Sequence, residues 1–190
     1  MSELNSLKET PKTLFEHLYD IIEKQNPVSS DIKTFFINND IFELSKEALR
    51  DGCDIYQVEI VVDKIGIVKD FEIKTIVSYI KALFKNNKEY YPLHLNSLLS
   101  KIAVVYPGKA LLLADEIEKL NYVFVPDGIF SLINDNSSLS VDEKYEYALT
   151  FINSNIEKQY MAGYSIIEKC IYADSFSRKQ EADMLCLLSI

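Results

Sequence analysis

The chain has few of the residues that break or turn a polypeptide. Among its 190 residues there are only 5 Gly and 5 Pro. Sandwiches and barrels built of strands need frequent turns, so this scarcity argues against them and favours long helices with few connections. Hydrophobic residues still make up 48% of the chain and charged residues 26%, which is the composition of a folded protein rather than a disordered one.

Clustered positive charge is also missing. The formal net charge is −9, and no run of Lys or Arg occurs. Because binding to phosphates needs clustered cations, nucleic acid is not expected as a partner. The acidity has two interpretations that the sequence leaves open. It keeps the protein soluble, or it meets a basic partner, as in an inhibitor that mimics nucleic acid and blocks a toxin or nuclease.

Long apolar runs and paired cysteines are absent as well. No apolar run approaches the roughly 18 residues that a membrane span requires, and residues 1–10 lack the apolar segment of a signal peptide. The only cysteines are Cys53, Cys170 and Cys186, without CxxC spacing. We therefore expect reduced thiols buried in the core, no membrane association and a cytoplasmic location.

Apolar residues recur at helical spacing along much of the chain. One such stripe comprises Ile73, Ile76, Val77, Ile80, Leu83 and Phe84. Ser140 with Glu143 matches a capping box, in which each side chain reaches the other residue's backbone N–H. Pro92, Pro107 and Pro126 suit the first turn of a helix, where no N–H is needed. Together these signals predict helices at 11–25, 29–38, 41–51, 54–69, 71–86, 92–105, 107–120, 127–134, 140–154, 156–171 and 175–189.

Two segments are ambiguous by composition. The Val and Ile content of residues 55–68 favours a strand by propensity. The apolar residues Ile55, Val58, Val62 and Ile65 recur at helical spacing, so we predict a helix there. Residues 122–125 are a short apolar run, interpreted as a loop that packs on the helices.

Two short motifs recur in phase. The first is Ile22–Lys24, which recurs as 67–69, 117–119 and 167–169, at steps of 45, 50 and 50 residues. The second is Phe35–Asn39, which recurs as 83–87 and 131–135, at steps of 48. The order and near-constant period indicate internal repetition. The alternative is that similar amphipathic helices reuse common residues.

One repeat would hold three helices. The first helix would end near the Ile-x-Lys motif. The second would end near the Asn pair, because Asn tolerates the left-handed conformation at a helix C-terminus. A third helix would lead to the next repeat. The units would cover residues 11–53, 54–106, 107–154 and 155–190 of a single domain that spans 1–190.

In period and helix order the chain resembles the HEAT and armadillo class of α-helical repeats, without a residue motif specific to any one family. The resemblance implies an all-α fold, a right-handed α-solenoid of about three and a half imperfect three-helix repeats of 45–50 residues, with a concave surface that holds a partner. The apolar segment 184–190 would dock onto the fourth unit, meet a partner or lead into further chain.

Catalytic and metal-binding patterns are lacking. His17 follows Glu16, but neighbouring helix positions point in different directions and form no dyad. His94 has no Cys, Asp or Glu three or four residues later, so we expect a surface or half-buried structural role for both histidines. The acidic clusters at 115–118 and 142–146 are expected on solvated faces and at helix starts. We identify no catalytic, cofactor-binding or metal-binding residue.

The function predicted from these features is a non-catalytic scaffold or adaptor that binds a protein or peptide on its helical surface. The alternative is an acidic inhibitor or immunity-type protein that covers a basic toxin or nuclease. A third possibility is an enzyme whose site combines residues distant in sequence, such as a histidine beside a carboxylate in a deep pocket. Abundant tyrosine, with Tyr145, Tyr147, Tyr160 and Tyr164 close together in sequence, suits either core margins or an interface.

Overall fold

The structure, a computed structural model, describes residues 10–24, 28–85, 91–120, 126–153, 157–172 and 177–188. Across these ranges the chain forms eleven α-helices and no β-strand. In chain order they are α1 (Pro11–Lys24), α2 (Ser30–Asn38), α3 (Ile41–Arg50), α4 (Ile55–Ile65), α5 (Ile73–Phe84), α6 (Leu95–Val105), α7 (Pro107–Glu118), α8 (Pro126–Asn134), α9 (Val141–Ile152), α10 (Glu157–Tyr172) and α11 (Arg178–Leu188). The predicted all-α class is confirmed.

Each predicted helix corresponds to an observed one, with ends that differ by at most four residues. The segment rich in Val and Ile is helix α4, as predicted. Asp54 caps its N-terminus by accepting a hydrogen bond from the Gln57 N–H. Gly66 then ends the helix with φ at 70°, a conformation that residues with a Cβ rarely adopt. The apolar run at 122–125 lies outside the described residues.

Start signals in the sequence mark real helix starts. Pro107 and Pro126 are the first residues of α7 and α8. Ser140 and Glu143 form the predicted capping box at the start of α9, with both reciprocal hydrogen bonds present. Pro92 is the exception. It precedes the first residue of α6, Leu95, by three positions, so the prediction that it lies in the first turn was wrong.

The Asn pair at 38–39 ends α2 as predicted, but by another mechanism. Asn39 is extended, with φ at −123°, and not left-handed. Its side-chain amide donates a 2.8 Å hydrogen bond to the carbonyl of Phe35, which also accepts from the Asn39 backbone N–H. Since the amide satisfies the exposed carbonyl at the helix end, no left-handed residue is needed there.

The chain divides into two compact units. The first comprises Met1–Lys101, and within it α3 contacts α1, α4 and α5, while α1 also contacts α4. The buried residues of α1 recur about every four positions because one stripe of the helix faces this core. The most deeply buried side chains of this unit include Phe15, Leu18, Phe36, Val58, Val61, Ile76, Tyr79, Ile80 and Leu83.

The second unit comprises Ile102–Ile190. Helix α8 contacts α7, α9 and α10, and the most extensive helix pairing of the unit joins α9 to α10. Its buried side chains include Leu113, Ile117, Ile129, Leu132, Ile133, Ala148, Ile166 and Ile167. Helix α11 contributes no buried side chain among its described residues, and Leu185 is 52% exposed.

The helix contacts agree with the predicted repeats, whereas the helix ends do not follow the repeated motif. In both units the third helix of a predicted repeat contacts the first helix of the next, as α3 does with α4 and α9 with α10. The Ile-x-Lys motif closes α1, but α4 ends before it and α10 continues beyond it. The solenoid, its four units and its single domain therefore remain predictions.

Candidate functional site

The two histidines lie in different surroundings. His17 is exposed on α1, and His94 is half-buried in the turn before α6. The half-buried position of His94 agrees with the prediction from its spacing. Its neighbours, however, come from α4, a helix about thirty residues earlier in the chain, so no local pattern could have indicated them.

An acid–base cluster joins α4 to the start of α6. The Lys101 ammonium donates to the Asp63 carboxylate at 2.6 Å and to the Asp63 main-chain carbonyl at 2.8 Å. His94 Nδ1 lies 3.6 Å from the second Asp63 oxygen, and its ring meets Tyr56 edge-on with centroids 5.6 Å apart. Only 8% of the Asp63 side chain is exposed. The hydrogen-bonded Lys101 ammonium thus compensates for burial of the carboxylate.

A second buried carboxylate lies one helical turn earlier on α4. Glu59 is 1% exposed and accepts a 3.1 Å hydrogen bond from the backbone N–H of Leu95, the first residue of α6. A carboxylate at this position satisfies an otherwise unpaired N–H and interacts favourably with the helix dipole. Glu59 is therefore a structural group at the start of α6. Sequence reasoning missed both Glu59 and Asp63, which looked like ordinary charges on an apolar helix.

Two thiols are buried and one is exposed. Burial and the nearby Glu16 carboxylate raise the pKa of Cys53 to about 11. Burial also raises the pKa of Cys170, although Lys144 and Lys169 oppose the shift. Cys186 is exposed on α11, so its predicted core position was wrong. Its leucine-rich neighbourhood predicted burial, but α11 does not bury this face.

The acidic cluster of α9 lies where the sequence predicted. Asp142, Glu143 and Glu146 are exposed. The hydrogen bonds from the Ser140 N–H and hydroxyl hold the Glu143 pKa below its usual value. Asp142 accepts a 2.9 Å hydrogen bond from the Gln180 amide of α11. Glu143 thus caps the start of α9, and all three acidic residues are exposed, as expected.

Acidic and aromatic side chains meet on one surface of the first unit. We call this the α1–α4 surface and define it by Tyr19, Asp20, Glu23, Asp54 and Tyr56. Helices α1 and α4 are in contact. Partial burial raises the pKa of the Tyr19 phenol, and the charges of Glu23, Asp54 and Asp20 raise it further. The three carboxylates are exposed, and Tyr56 is 43% exposed.

This surface continues past Tyr56. The Tyr56 ring contacts His94, which follows the 61% exposed Leu93. Exposed tyrosines with an apolar neighbour and charges around them are typical of surfaces that bind proteins.

In the second unit the tyrosine cluster is split. Tyr145 and Tyr147 of α9 are half-buried, whereas Tyr160 and Tyr164 of α10 are 39% and 38% exposed. Two of the four tyrosines therefore lie at the margin of the core and two lie on the surface.

Two surface clefts accompany these features. One, of about 260 Å³, lies in the first unit between the start of α3 and the loop 66–71. The other, of about 310 Å³, lies in the second unit, and we call it the α7–α9 cleft. Its lining residues are Leu111, Ala114, Asp115, Glu118, Ile129, Ile133, Tyr147 and Phe151. Neither cleft is lined by His17 or His94.

Within the described ranges, no three His, Cys, Asp or Glu side chains are grouped as a metal site would require. No helix in the same part of the chain has both the length and the apolar character for crossing a membrane. Comparison with protein-family models, curated proteins and solved structures finds no match to this chain.

Proposed function

We propose that the protein is a non-catalytic scaffold that binds a basic protein partner through the α1–α4 surface. The observation that carries the proposal is the joint exposure of Tyr56 with the carboxylates of Asp20, Glu23 and Asp54. Tyrosine supplies rigid contact area with one polar tip, and the carboxylates select a partner of opposite charge.

The charge of the whole chain supports the same partner chemistry. A net charge of −9 attracts basic proteins at long range and repels nucleic acid. On α1 the acidic residues Glu16, Asp20 and Glu23 are spaced so that they share one helix face, which concentrates the charge locally. The solenoid predicted from the sequence would extend such a surface over several repeats.

The test is affinity capture of interacting proteins from the native cell, with quantitative mass spectrometry. The full chain is compared with a double variant, Asp20→Asn with Glu23→Gln. A matched control removes two exposed charges elsewhere, Asp31→Asn with Glu168→Gln. We expect a basic partner whose recovery falls with the first variant and not with the control. Equal recovery with both variants would refute the assignment of the surface.

A second candidate function has the same chemical basis. The acidic face could cover the active site of a basic enzyme, as an immunity protein does. The acidic face of α1 favours this candidate too, because opposite charges accelerate association. An enzyme recovered in the capture experiment would be assayed with one equivalent of the chain. Loss of its activity would identify an inhibitor, and unchanged activity would identify a scaffold.

A further inference from the structure

Helix α10 of the second unit has a buried face and an exposed face that is partly apolar. The buried face packs on α8 and α9, and its residues are Ala162, Gly163, Ile166, Ile167 and Cys170. On the other side Tyr160, Met161 and Tyr164 are exposed, and Met161 is 46% exposed. The outer face of a surface helix normally carries charged and polar residues, so this face is unusual.

The exposed residues occupy one narrow strip along the helix. We call it the α10 face and define it by Glu157, Tyr160, Met161, Tyr164 and Glu168, all of which are exposed. With about 3.6 residues per turn, all five lie within an arc of about 100° around the helix axis. Gly163 packs against the backbone of α9, which fixes the rotation of α10 and keeps the strip on the outside.

The centre and the ends of the α10 face differ in chemistry. The two tyrosines give rigid contact area, and the flexible thioether of the methionine between them adapts to the shape of a partner. The ends are acidic, since Glu157 and Glu168 lie about 16 Å apart along the axis. Within the part of the chain that the structure describes, neither glutamate is in an ion pair. Lys169 is engaged by Asp135 at 3.2 Å and lies over the Phe130 ring.

The two acidic ends decide which kind of helix can cover the α10 face. A second copy of the chain is disfavoured, because an antiparallel pair of α10 helices would oppose Glu157 and Glu168. A parallel pair would oppose each glutamate to its own counterpart. Like charges repel in both arrangements, whereas a helix with basic residues at both ends gains two favourable contacts. Docking of an amphipathic helix through its apolar face is a recurring mode of protein recognition.

We propose that the α10 face docks an amphipathic helix of a partner protein. The apolar side chains of that helix pack on Tyr160, Met161 and Tyr164. Its lysine or arginine side chains, about three helical turns apart, pair with Glu157 and Glu168. The surface lies in the second unit and does not depend on the α1–α4 surface, so the inference goes beyond the proposed function.

A designed peptide tests this docking on the full chain. The probe is an alanine-based helix with leucines along one face and two flanking lysines that are eleven positions apart. The control peptide has glutamate in place of both lysines. Each peptide is titrated into ¹⁵N-labelled protein and followed by NMR. We expect saturable amide shifts between Tyr160 and Glu168 with the lysine peptide. The glutamate peptide should bind at least about ten-fold more weakly.

Variants of exposed residues test which side chains form the surface. Tyr160→Ala should weaken the lysine peptide about five-fold, whereas Tyr160→Phe keeps the ring and should bind like the wild type. Tyr56→Ala is the matched control, because it removes a similarly exposed ring from the first unit and should have no effect. The double variant Glu157→Gln with Glu168→Gln should reduce the preference for the lysine peptide.

Four results would overturn the proposal. They are the absence of saturable shifts in α10, equal affinity for the two peptides, and equal effects of Tyr160→Ala and Tyr56→Ala. The fourth is a dimer of the chain in sedimentation equilibrium that Tyr160→Ala dissociates, which would assign the face to a second copy.

The outcomes also separate this inference from the proposed function. The control variant of the capture experiment contains Glu168→Gln, which leaves the α1–α4 surface intact and so remains a control for it. A captured protein that depends on Asp20 and Glu23, with a lysine peptide that does not bind α10, refutes this inference alone. A lysine peptide that binds α10, without any captured protein that depends on the α1–α4 surface, refutes the proposed function alone.

Discussion

Gly163 of α10 lies directly against the backbone of α9, beside Ala148. A β-carbon placed on Gly163 would lie 2.9 Å from the Ala148 carbonyl oxygen and equally close to the Ile152 nitrogen and the Phe151 β-carbon. Two of these three neighbours are backbone atoms, which cannot move aside as a flexible side chain can. The most extensive helix pairing of the second unit therefore depends on the absence of a side chain at Gly163.

Replacement of Gly163 by alanine should destabilise the protein by about 1–3 kcal/mol, the usual cost of overpacking. Alanine in a helix normally stabilises relative to glycine, so the sign is reversed here. Gly108→Ala is the matched control, because Gly108 lies in α7 with nothing within 4 Å of its added β-carbon. It should be neutral or stabilising by about 0.5 kcal/mol. Urea unfolding measures both, and equal effects would contradict the close approach.

The coupling energy between Asp63 and Lys101 should be larger than that of an exposed ion pair with the same N–O distance. Its N–O distance is 2.6 Å and its carboxylate is 8% exposed, whereas Lys119 and Glu116 also lie 2.6 Å apart with the carboxylate 46% exposed. Burial strengthens the interaction because less water screens it. A double-mutant cycle with Asp63→Asn and Lys101→Met should give a coupling of about 1 kcal/mol. The cycle on the exposed pair should give a few tenths, about 0.3 kcal/mol. Equal couplings would show that burial of Asp63 has no energetic effect.

Removal of the cap at Asp40 should weaken the start of α3. The Asp40 carboxylate accepts hydrogen bonds from the N–H groups of Phe42 at 2.9 Å and Glu43 at 3.1 Å. Asp40→Ala leaves both donors without this partner and should cost about 1 kcal/mol in the free energy of unfolding. Asp40→Asn keeps an oxygen acceptor and should retain most of the stability. A loss as large for Asn as for Ala would show that charge, not capping, is responsible.

The three thiols should react at very different rates. Cys186 is exposed, whereas Cys53 and Cys170 are buried with raised pKa values. Alkylation at neutral pH should therefore modify Cys186 rapidly and the other two only after unfolding, because the thiolate is the reactive form. Mass spectrometry of peptides after a short exposure to iodoacetamide measures the three sites. A Cys186→Ser variant should show almost no rapid labelling.

The raised pKa of Cys53, about 11, also predicts an alkaline loss of stability. The folded state holds the thiol proton more tightly than the unfolded chain, whose thiol pKa is near 9. The stability that the protonated Cys53 thiol contributes is fully present below pH 9 and is lost as the pH rises toward 11. A Cys53→Ala variant should show a shallower decline of unfolding free energy between pH 8.5 and 10.5 than the wild type. Parallel declines would mean that other groups carry the whole pH dependence.

Helix positions could be predicted from the sequence because they depend on neighbouring residues. The apolar stripe of α5 and the capping box of Ser140 and Glu143 are each formed by residues close together in the chain, so the sequence alone predicts them. Helix α4 forms although Val and Ile favour a strand, and it is buried on nearly all sides, since residues 58–63 are all buried. Burial in the fold therefore outweighed intrinsic preference here. The end of α2 shows the limit of such rules, since Asn39 caps with its side chain and not with a left-handed backbone.

The pairing of distant residues could not be predicted in the same way. The end of α4, the whole of α5 and the start of α6 lie between Asp63 and Lys101 in the chain, and only the fold brings the two residues together. The cleft beside Asp115 likewise depends on the packing of three helices. Cys186 is the opposite case. Its apolar neighbours in the sequence predicted burial, but the thiol is exposed.

Glu59 and Asp63 give the contact between α4 and the start of α6 a fixed register. Two helices that pack only through apolar side chains can shift along each other by one turn, about 5.4 Å, with little change in the apolar area they bury. Because Glu59 and Asp63 lie one turn apart on α4, such a slip would move one carboxylate toward the other's partner and take the second carboxylate away from its own, the Leu95 N–H or the Lys101 ammonium. Only the observed alignment gives both carboxylates their partners on α6, so the two contacts together favour it.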